Sequence, residues 1–157
     1  MGYKIRVSAR AVVVQEGNLL LNCFGDGLYY NFPGGGIEEK ETALEAVVRE
    51  VLEESGLTVA VEKHLFTLEF EPSRCDDPGG NFHHISVFFQ CKLVGSAQIT
   101  PPTHPDTNPD DPAIRSFAKW VPISELHKTP FVPATIYDPL MRYFETGIFA
   151  PSFFEIS

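Results

Sequence analysis

The sequence has no long hydrophobic run and few basic residues. No stretch approaches the ~18 consecutive apolar residues that a membrane-spanning helix needs, so we expect no contact with a membrane. Its 12 lysines and arginines stand against 21 aspartates and glutamates, which gives a formal charge of −9. A chain this acidic is a poor candidate for holding the phosphate backbone of a nucleic acid. It is a better candidate for a protein that needs a cation before it can bind an anionic substrate.

Cysteine is also scarce. Cys23, Cys75 and Cys91 are an odd number and show no Cys-x-x-Cys spacing, which argues against a disulfide framework and a structural zinc site. Residues 1–6 lack the apolar stretch and small-residue cleavage site of a secretory signal. We therefore expect a reducing, cytoplasmic location, with each cysteine serving as a small apolar residue.

Two common nucleotide-binding motifs are absent as well. Gly25 and Gly27 open a dinucleotide fingerprint, but Tyr30 occupies the position of its third glycine. No Gly-x-x-x-x-Gly-Lys-Ser/Thr run occurs in the chain. The sequence therefore predicts neither a Rossmann dinucleotide site nor a P-loop.

The pattern of apolar residues predicts strands mixed with two helices. Segments 9–14 and 19–24 flank a Glu-Gly-Asn turn signal, which predicts a β-hairpin. Residues 33–36 and the proline-rich segment 95–115 are typical of loops. Further strands are predicted at 28–32, 57–70, 82–94 and 117–121, helices at 41–55 and 134–145, and a helical turn at 124–128. This order indicates an α/β/α layered domain that spans residues 1–157.

The first predicted helix carries a row of carboxylates beside an apolar stripe. Glu50, Glu53 and Glu54 stand at i, i+3 and i+4, so they share an arc of roughly 100°. Like charges at this spacing repel each other unless water solvates the face or a cation neutralises it. Three such hard oxygen ligands suit Mg²⁺ or Mn²⁺ rather than zinc. The stripe predicted to be buried consists of Leu44, Val47, Val48 and Val51.

A glycine-rich segment at 33–36 directly precedes this helix. Glycine allows close approach of the backbone to a ligand, and its carbonyls can complete the shell of a metal ion. The residues themselves therefore suggest a divalent metal at a loop–helix junction, positioned to bind a polyphosphate. A fully solvated helix face is the alternative interpretation.

The spacing of these residues resembles a known family motif. The pattern Gly35-x5-Glu41-x7-Arg49-Glu50-Val51-x-Glu53-Glu54-x-Gly56-Leu57 is similar, at every specified position, to the Nudix box of Nudix hydrolases. The surrounding strands and the run 120–126 are also similar to what the family carries. The resemblance implies a Nudix-type α/β/α sandwich with a mixed, partly antiparallel sheet. It also implies a MutT- or ADP-ribose-pyrophosphatase-like enzyme that hydrolyses a nucleoside diphosphate linked to another group.

The resemblance further implies a set of metal ligands. Glu50, Glu53 and Glu54 match the metal-ligand positions of the family, and the carbonyl of Gly34 matches a backbone ligand seen in some members. The implied ion is Mg²⁺, with Mn²⁺ as a possible substitute. Such an ion neutralises phosphate oxygens, lowers the pKa of a bound water and stabilises charge on the departing phosphate.

Supporting and catalytic roles are implied in the same way. Arg49 matches a residue that orients the carboxylates, and Glu41 matches a supporting or additional metal position. Glu50, Glu53 and Arg49 are thus the expected catalytic residues, with Glu50 preferred as the base that takes a proton from water. The rival bases lie in the long loop and are Asp106, Asp110 and Asp111.

The substrate is left between two classes of nucleotide. In the family, a proline about 15 residues after the box marks many ADP-ribose pyrophosphatases, and Pro72 has this position relative to Leu57. This slightly favours an ADP-ribose-like substrate, whereas a nucleoside triphosphate is the alternative. An aromatic ring that stacks on the base would come from a set of six, most of which we expect in the core: Tyr29, Tyr30, Phe32, Phe66, Phe70 and Phe82.

Three further expectations concern the rest of the chain. A non-catalytic Nudix domain that senses a nucleotide and a Nudix-fold isomerase are weaker alternatives to the hydrolase. His83 and His84 should point to opposite faces of a strand, so they cannot chelate one ion together. The apolar tail 148–154 should either pack back on the domain or bury against a second subunit, which makes a homodimer possible.

Overall fold

The elements follow the predicted order closely. The computed structural model describes residues 4–75, 82–103, 105–108 and 111–156. Its strands are β1 (Lys4–Gln15), β2 (Asn18–Phe24), β3 (Tyr29–Asn31), β4 (Gly34–Gly36), β5 (Thr58–Phe70), β6 (Phe82–Val94), β7 (Ser116–Pro122) and β8 (Phe153–Ile156). Its α-helices are α1 (Ala43–Ser55) and α2 (Tyr137–Thr146), and 3₁₀ turns lie at Pro72–Arg74, Ile123–Lys128 and Ala134–Ile136. None of the described helices is long and apolar enough to cross a membrane.

The strands form a mixed sheet in the order β3-β2-β1-β6-β5-β8, with β4 paired to β1 and β7 paired to β2. The central pair, β1 and β6, is parallel, and β8 is parallel to β5. The β1–β2, β2–β7 and β5–β6 pairs are antiparallel. This arrangement confirms the expected mixed, partly antiparallel sheet.

Alternating side chains of β1 divide the core into two layers. Ala11 and Val13 belong to the cluster that includes Val47 of α1, whereas Val12 belongs to the cluster that includes Leu140 of α2. Successive side chains of a strand point to opposite faces, so one helix covers each face of the sheet. The α/β/α sandwich is therefore confirmed.

Local sequence signals set the first hairpin. Glu16 and Gly17 both have positive φ, 49° and 76°, which is the requirement of the tight turn that suits the twist of a hairpin. Val14 of β1 then lies opposite Leu19 of β2. The predicted hairpin is confirmed.

The ends of α1 are also defined locally. The Thr42 hydroxyl accepts the backbone N–H of Glu45, and the Glu45 carboxylate accepts the N–H of Thr42, which forms a capping box. Gly56 ends the helix in the left-handed conformation, with φ 72°. Both ends agree with the helix predicted from the sequence.

The buried face of α1 differs from the predicted stripe. Val47 and Val51 are fully buried, but Leu44 is 51% exposed, so the prediction was wrong for Leu44. Ala46 and Glu54 are buried instead. The helix is thus turned so that its carboxylate side, rather than the side of Leu44, approaches the sheet.

The glycine-rich segment is a strand rather than the predicted loop. β4 runs antiparallel to β1, with Gly34 opposite Arg10 and Gly36 opposite Ser8. Gly34 has φ 148°, and a Cβ there would lie 2.2 Å from the carbonyl oxygen of Ala9. The two backbones approach so closely that only glycine fits, and this composition is why the segment is typical of a loop in the sequence.

The apolar tail packs back on its own chain. β8, which the sequence did not predict, pairs with β5. The rings of Phe149 and Phe154 contact Phe66, with centroid distances of 4.1 and 5.8 Å. The first of the two alternatives for the tail therefore describes this structure.

Candidate active site

Five of the specified box residues line one cavity of about 1060 Å³. Its walls include β1, β4 and the C-terminal half of α1. Glu50, Glu53 and Glu54 all line this cavity, together with Gly34. The structure thus brings four of the five predicted metal-ligand residues to one cavity, whereas the fifth, Glu41, does not line it.

Arg49 connects the acidic residues of this wall. Its Nε donates to Oε1 of Glu41 at 2.6 Å, and its Nη2 donates to Oε2 of the same carboxylate at 3.0 Å. Its Nη1 donates to Oε1 of Glu50 at 2.8 Å and to Oε2 of Glu53 at 3.3 Å, and Nη2 also reaches the carbonyl of Gly36 at 3.2 Å. The Arg49 guanidinium lowers the pKa of Glu41 to about 2. One arginine therefore fixes the positions of two candidate ligands relative to β4.

Glu54 has a different environment, since it is only 3% exposed. The Nδ2 of Asn22 donates to its Oε2, and the backbone N–H of Gly34 lies 3.4 Å from both carboxylate oxygens. Burial raises the pKa of Glu54 to about 8, although the hydrogen bond from Asn22 and the charge of Arg10 oppose the increase. With no metal ion bound, the raised pKa therefore favours the protonated form of Glu54 at neutral pH.

Gly35 makes room for the Glu50 carboxylate. A Cβ at Gly35 would lie 2.5 Å from Oε1 of Glu50 and 2.9 Å from Oε2. Real Cβ atoms do not approach an oxygen this closely, so any larger residue would displace the carboxylate. The motif thus requires glycine at position 35, because a larger side chain would collide with Glu50, another residue of the same motif.

The donor set fits a hard divalent cation by its chemistry. Carboxylate and backbone oxygens on one wall are what Mg²⁺ prefers, and the Oδ1 of Asn22, beside Glu54, is a buried acceptor without a partner among the described residues. In the described part of the chain, however, no three His, Cys, Asp or Glu side chains converge closely enough to enclose an ion. An ion would therefore compete with Arg49 and Asn22 for the oxygens they now hold.

The candidates for the general base differ in whether they line the cavity. Glu50 and Asp106 both line the cavity. Asp106 is held there by its backbone N–H, which donates to the Ser116 hydroxyl at 3.1 Å. Asp111 does not line the cavity, and its carboxylate accepts the N–H of Ala113 instead. The third rival, Asp110, lies outside the described residues.

One aromatic pair borders the cavity. Tyr29 and Phe24 both line it, and their rings are stacked with centroids 4.5 Å apart. Of the other proposed rings, Phe32 and Phe66 are fully buried in the core. Tyr29 was among the rings proposed from the sequence, but Phe24 was not, because nothing in the local pattern of β2 distinguishes it from a core residue.

The cavity floor carries two arginines that the sequence did not indicate, beside a histidine that it did. Arg6, Ser8 and Arg10 alternate along one face of β1, and His84 of β6 is paired in register with Arg6. Burial lowers the pKa of Arg10, and burial together with the nearby arginines lowers the pKa of His84. The signal in the sequence was the alternation Arg-x-Ser-x-Arg, which has meaning only once β1 is known to border the cavity.

The two adjacent histidines lie in different surroundings. His84 lines the cavity, whereas the Nε2 of His83 lies 2.6 Å from Oε1 of Glu69. Glu69 pairs with Ile85, which shares its strand face with His83. The prediction that these histidines point to opposite faces agrees with the structure.

Comparisons with known proteins agree with this architecture. The sequence model of a family described as the NUDIX domain matches residues 4–143. A curated relative, an ADP-ribose pyrophosphatase of Methanocaldococcus jannaschii, is 38% identical over 84 residues. That alignment covers 54% of this chain and 43% of the relative, so the chain spans less than half of the relative's length.

Solved structures with the same fold include several enzymes. A NUDIX hydrolase from Nitrosomonas europaea superposes with a TM-score of 0.68 at 20% identity, covering 99% of this chain and 81% of that one. A MutT protein from Methanosarcina mazei Go1 has a TM-score of 0.65 at 19% identity, with coverage of 94% and 98%. An ADP-ribose pyrophosphatase from Streptococcus suis has a TM-score of 0.55 at 23% identity, with coverage of 80% and 78%. At these identities the likeness concerns the fold.

Proposed function

The chain belongs to the NUDIX domain family, and from this we propose that it is a Mg²⁺-dependent pyrophosphohydrolase. The substrate is a nucleoside diphosphate linked to another moiety, which water cleaves at the pyrophosphate bond. The observation that carries the proposal is that Glu50, Glu53 and Glu54 line one cavity while Arg49 fixes two of them. The alternative of a solvated helix face does not account for a carboxylate as buried as Glu54.

The residues that would hold the ion are Glu50, Glu53, Glu54 and the carbonyl of Gly34, and Mn²⁺ can use the same oxygen ligands. A bound Mg²⁺ supplies neutralisation of phosphate oxygens and a lower pKa for a bound water. Since Arg49 holds both oxygens of Glu41, we assign Glu41 to positioning Arg49. We assign Glu50 as the base that removes a proton from the attacking water, with Asp106 as the rival on the same cavity.

Within this class of substrates, we propose a slight preference for an ADP-ribose-like compound. The support comes from the curated relative, which is called an ADP-ribose pyrophosphatase. Pro72 is buried at the start of a 3₁₀ turn and does not line the cavity, so it adds no contact with a nucleotide there.

A nucleoside triphosphate is the second candidate. The observation in its favour is the pair of arginines, Arg6 and Arg10, on the cavity floor. These can compensate more negative charge than a diphosphate in contact with a metal ion carries.

We also propose a cytoplasmic setting with no macromolecular partner needed for catalysis. The support is that Cys23 and Cys91 are buried thiols without a disulfide in the described structure. A cavity of about 1060 Å³ is large enough to take a small nucleotide.

A substrate panel tests the proposal. Purified protein is incubated with ADP-ribose, deoxynucleoside triphosphates and diadenosine polyphosphates, with Mg²⁺ or with excess EDTA, and nucleoside monophosphate release is measured. We expect release from at least one substrate in Mg²⁺ and none in EDTA. Inactivity on the whole panel in Mg²⁺, or full activity in EDTA, would contradict the proposal.

A further inference from the structure

The basic floor of the cavity has no acidic counterpart of its own. Arg49 forms salt bridges with several glutamates, but among the described residues neither Arg6 nor Arg10 forms one. Arg10 is half-buried, and its Nη1 donates to the carbonyl of Phe32 at 2.7 Å. A neutral carbonyl satisfies a donor without neutralising the charge, and a buried charge is costly unless it is paired.

The two arginines and His84 are placed side by side rather than scattered. Arg6 lies opposite His84 across the parallel β1–β6 pair, and Arg10 follows on the same face of β1. The guanidinium of Arg6 lies over Gly36, where a Cβ would be 3.4 Å from its Nε. The buried hydroxyls of Ser8 and Ser86, 2.8 Å apart, lie between the two arginines. The floor therefore places two guanidinium groups and an imidazole on one side of the cavity, with a net positive charge from the arginines.

Three carboxylates act electrostatically on Arg10, namely Glu50, Glu54 and Asp106, and two of them are already assigned to another task. Glu50 and Glu54 are the proposed metal ligands, so a bound cation would take up their charge and leave Asp106 to compensate two arginines. The floor then carries an excess of positive charge, which an anion outside the metal-bound diphosphate can neutralise.

We propose that Arg6, Arg10 and His84 form a second anion subsite, which binds a phosphoryl group of the substrate outside the scissile pyrophosphate. This inference rests on the proposed function and narrows it, because the moiety linked to the nucleoside diphosphate must then be phosphorylated. A nucleoside triphosphate satisfies this requirement through its additional phosphoryl group. Plain ADP-ribose does not, since its linked ribose is neutral, so the subsite favours the second substrate candidate given above over the first.

A pair of non-hydrolysable nucleotides tests the subsite by binding rather than by turnover. α,β-Methylene-ATP and α,β-methylene-ADP differ by one phosphoryl group, and calorimetry in Mg²⁺ gives the affinity of the whole chain for each. We expect wild type to bind the triphosphate analogue at least about tenfold more tightly, as a charge-assisted contact allows. Arg6→Gln should reduce this preference to less than about threefold and leave affinity for the diphosphate analogue nearly unchanged.

Arg142→Gln is the matched control. Arg142 is exposed on α2 and does not line the cavity, so its loss removes the same charge elsewhere and should leave the preference intact. Because Arg6 is also exposed, Arg6→Gln should fold normally, which a thermal melt verifies.

Several outcomes would overturn the subsite. These are an equal affinity of wild type for both analogues, an unchanged preference in Arg6→Gln, or an equal loss for both analogues, which would place Arg6 on the shared diphosphate. The proposed function fails separately. An Arg6-dependent preference without hydrolysis of any nucleotide supports the subsite and refutes the enzyme, whereas hydrolysis without that preference does the reverse.

Discussion

Glu54 is a buried carboxylate of the cavity, and burial raises its pKa to about 8. Its hydrogen bonds from Asn22 and Gly34 position the group but do not offset the loss of solvation. A metal ligand must be deprotonated, so ion binding at Glu54 should release a proton. The protonation of Glu54 therefore links metal binding at the site to the stability of the fold.

The stability of the metal-free protein should depend on pH through Glu54. Burial raises its pKa to about 8 in the folded chain, against an ordinary value of 4.5 for a solvated glutamate. Between these values the folded state holds a proton that the unfolded state has lost, so stability should fall as pH rises, by at most about 1.4 kcal/mol per pH unit. Urea denaturation in EDTA from about pH 5 to about pH 8 measures this dependence. Glu54→Gln should flatten the curve, and an unchanged slope in this variant would refute the assignment.

Glu53→Gln should separate catalysis from folding. Glu53 is partly exposed and held by Arg49, so the amide should leave the fold intact while it removes a charged ligand. We expect kcat on the best substrate of the panel to fall at least about a hundredfold. Glu39→Gln, on the exposed loop before α1, removes the same charge and should stay within about twofold of wild type. Similar activity in both variants would count against the metal site.

At the scale of elements, β4 and α1 together hold the carboxylates. The glycine strand lies against β1, and the helix is turned so that its acidic side approaches the sheet. The capping box at Thr42 and Glu45 fixes where the helix starts, and hence where its last two turns place their side chains. The geometry of the site thus depends on backbone placement before it depends on any single contact.

Gly35→Ala tests the contact between these two elements. Its Cβ would displace the Glu50 carboxylate from its place beside Arg49, so we expect kcat to fall at least about tenfold. The free energy of unfolding should change by no more than about 1 kcal/mol, since the end of a flexible side chain can move. Gly36→Ala, whose Cβ meets only the end of Arg6 at 3.4 Å, should lose less activity. If the two variants lose equal activity, the steric explanation is wrong.

Some elements could be predicted from the sequence because their signals are local. The turn at Glu16 and Gly17 and the helix stop at Gly56 depend only on nearby residues. β4 was missed because a strand of glycines carries no pattern of side chains. The prediction of the buried face of α1 was wrong at Leu44, because the orientation of the helix depends on how it packs against the sheet.

The site, like the fold, could be predicted only where its residues are close together in the sequence. The carboxylates of α1 and Arg49 share one motif, so their spacing indicated them together. The floor residues Arg6 and His84 are far apart in the sequence, and only the parallel register of β1 and β6 brings them together. That register follows from long-range pairing, which no local pattern specifies.

At the scale of the whole molecule, the C-terminal tail completes the layer on the side of α2. Phe149 stacks on Phe66, and Phe154 contacts the same ring. Ile148 and Phe153 are 69% and 50% exposed. A contact of these residues with a second copy stays a prediction, which light scattering that shows only 17.5 kDa would dismiss.

Phe149→Ala should weaken the fold without affecting the site. Removal of this half-buried ring should lower the free energy of unfolding by about 2 kcal/mol, less than for a fully buried phenylalanine. Ile148→Ala, one residue earlier and mostly exposed, should change it by less than about 0.5 kcal/mol. Urea denaturation measures both, and equal effects would show that the tail does not pack as described.

The central claim is that the acidic side of α1 binds a divalent cation for pyrophosphate hydrolysis. Mn²⁺ binding, followed by the loss of the free-ion signal in electron paramagnetic resonance, tests it most directly, with and without α,β-methylene-ADP. We predict saturable binding to wild type and affinity weakened at least about tenfold in Glu53→Gln. No uptake of Mn²⁺ by wild type in either condition, or equal uptake by both proteins, would contradict the account.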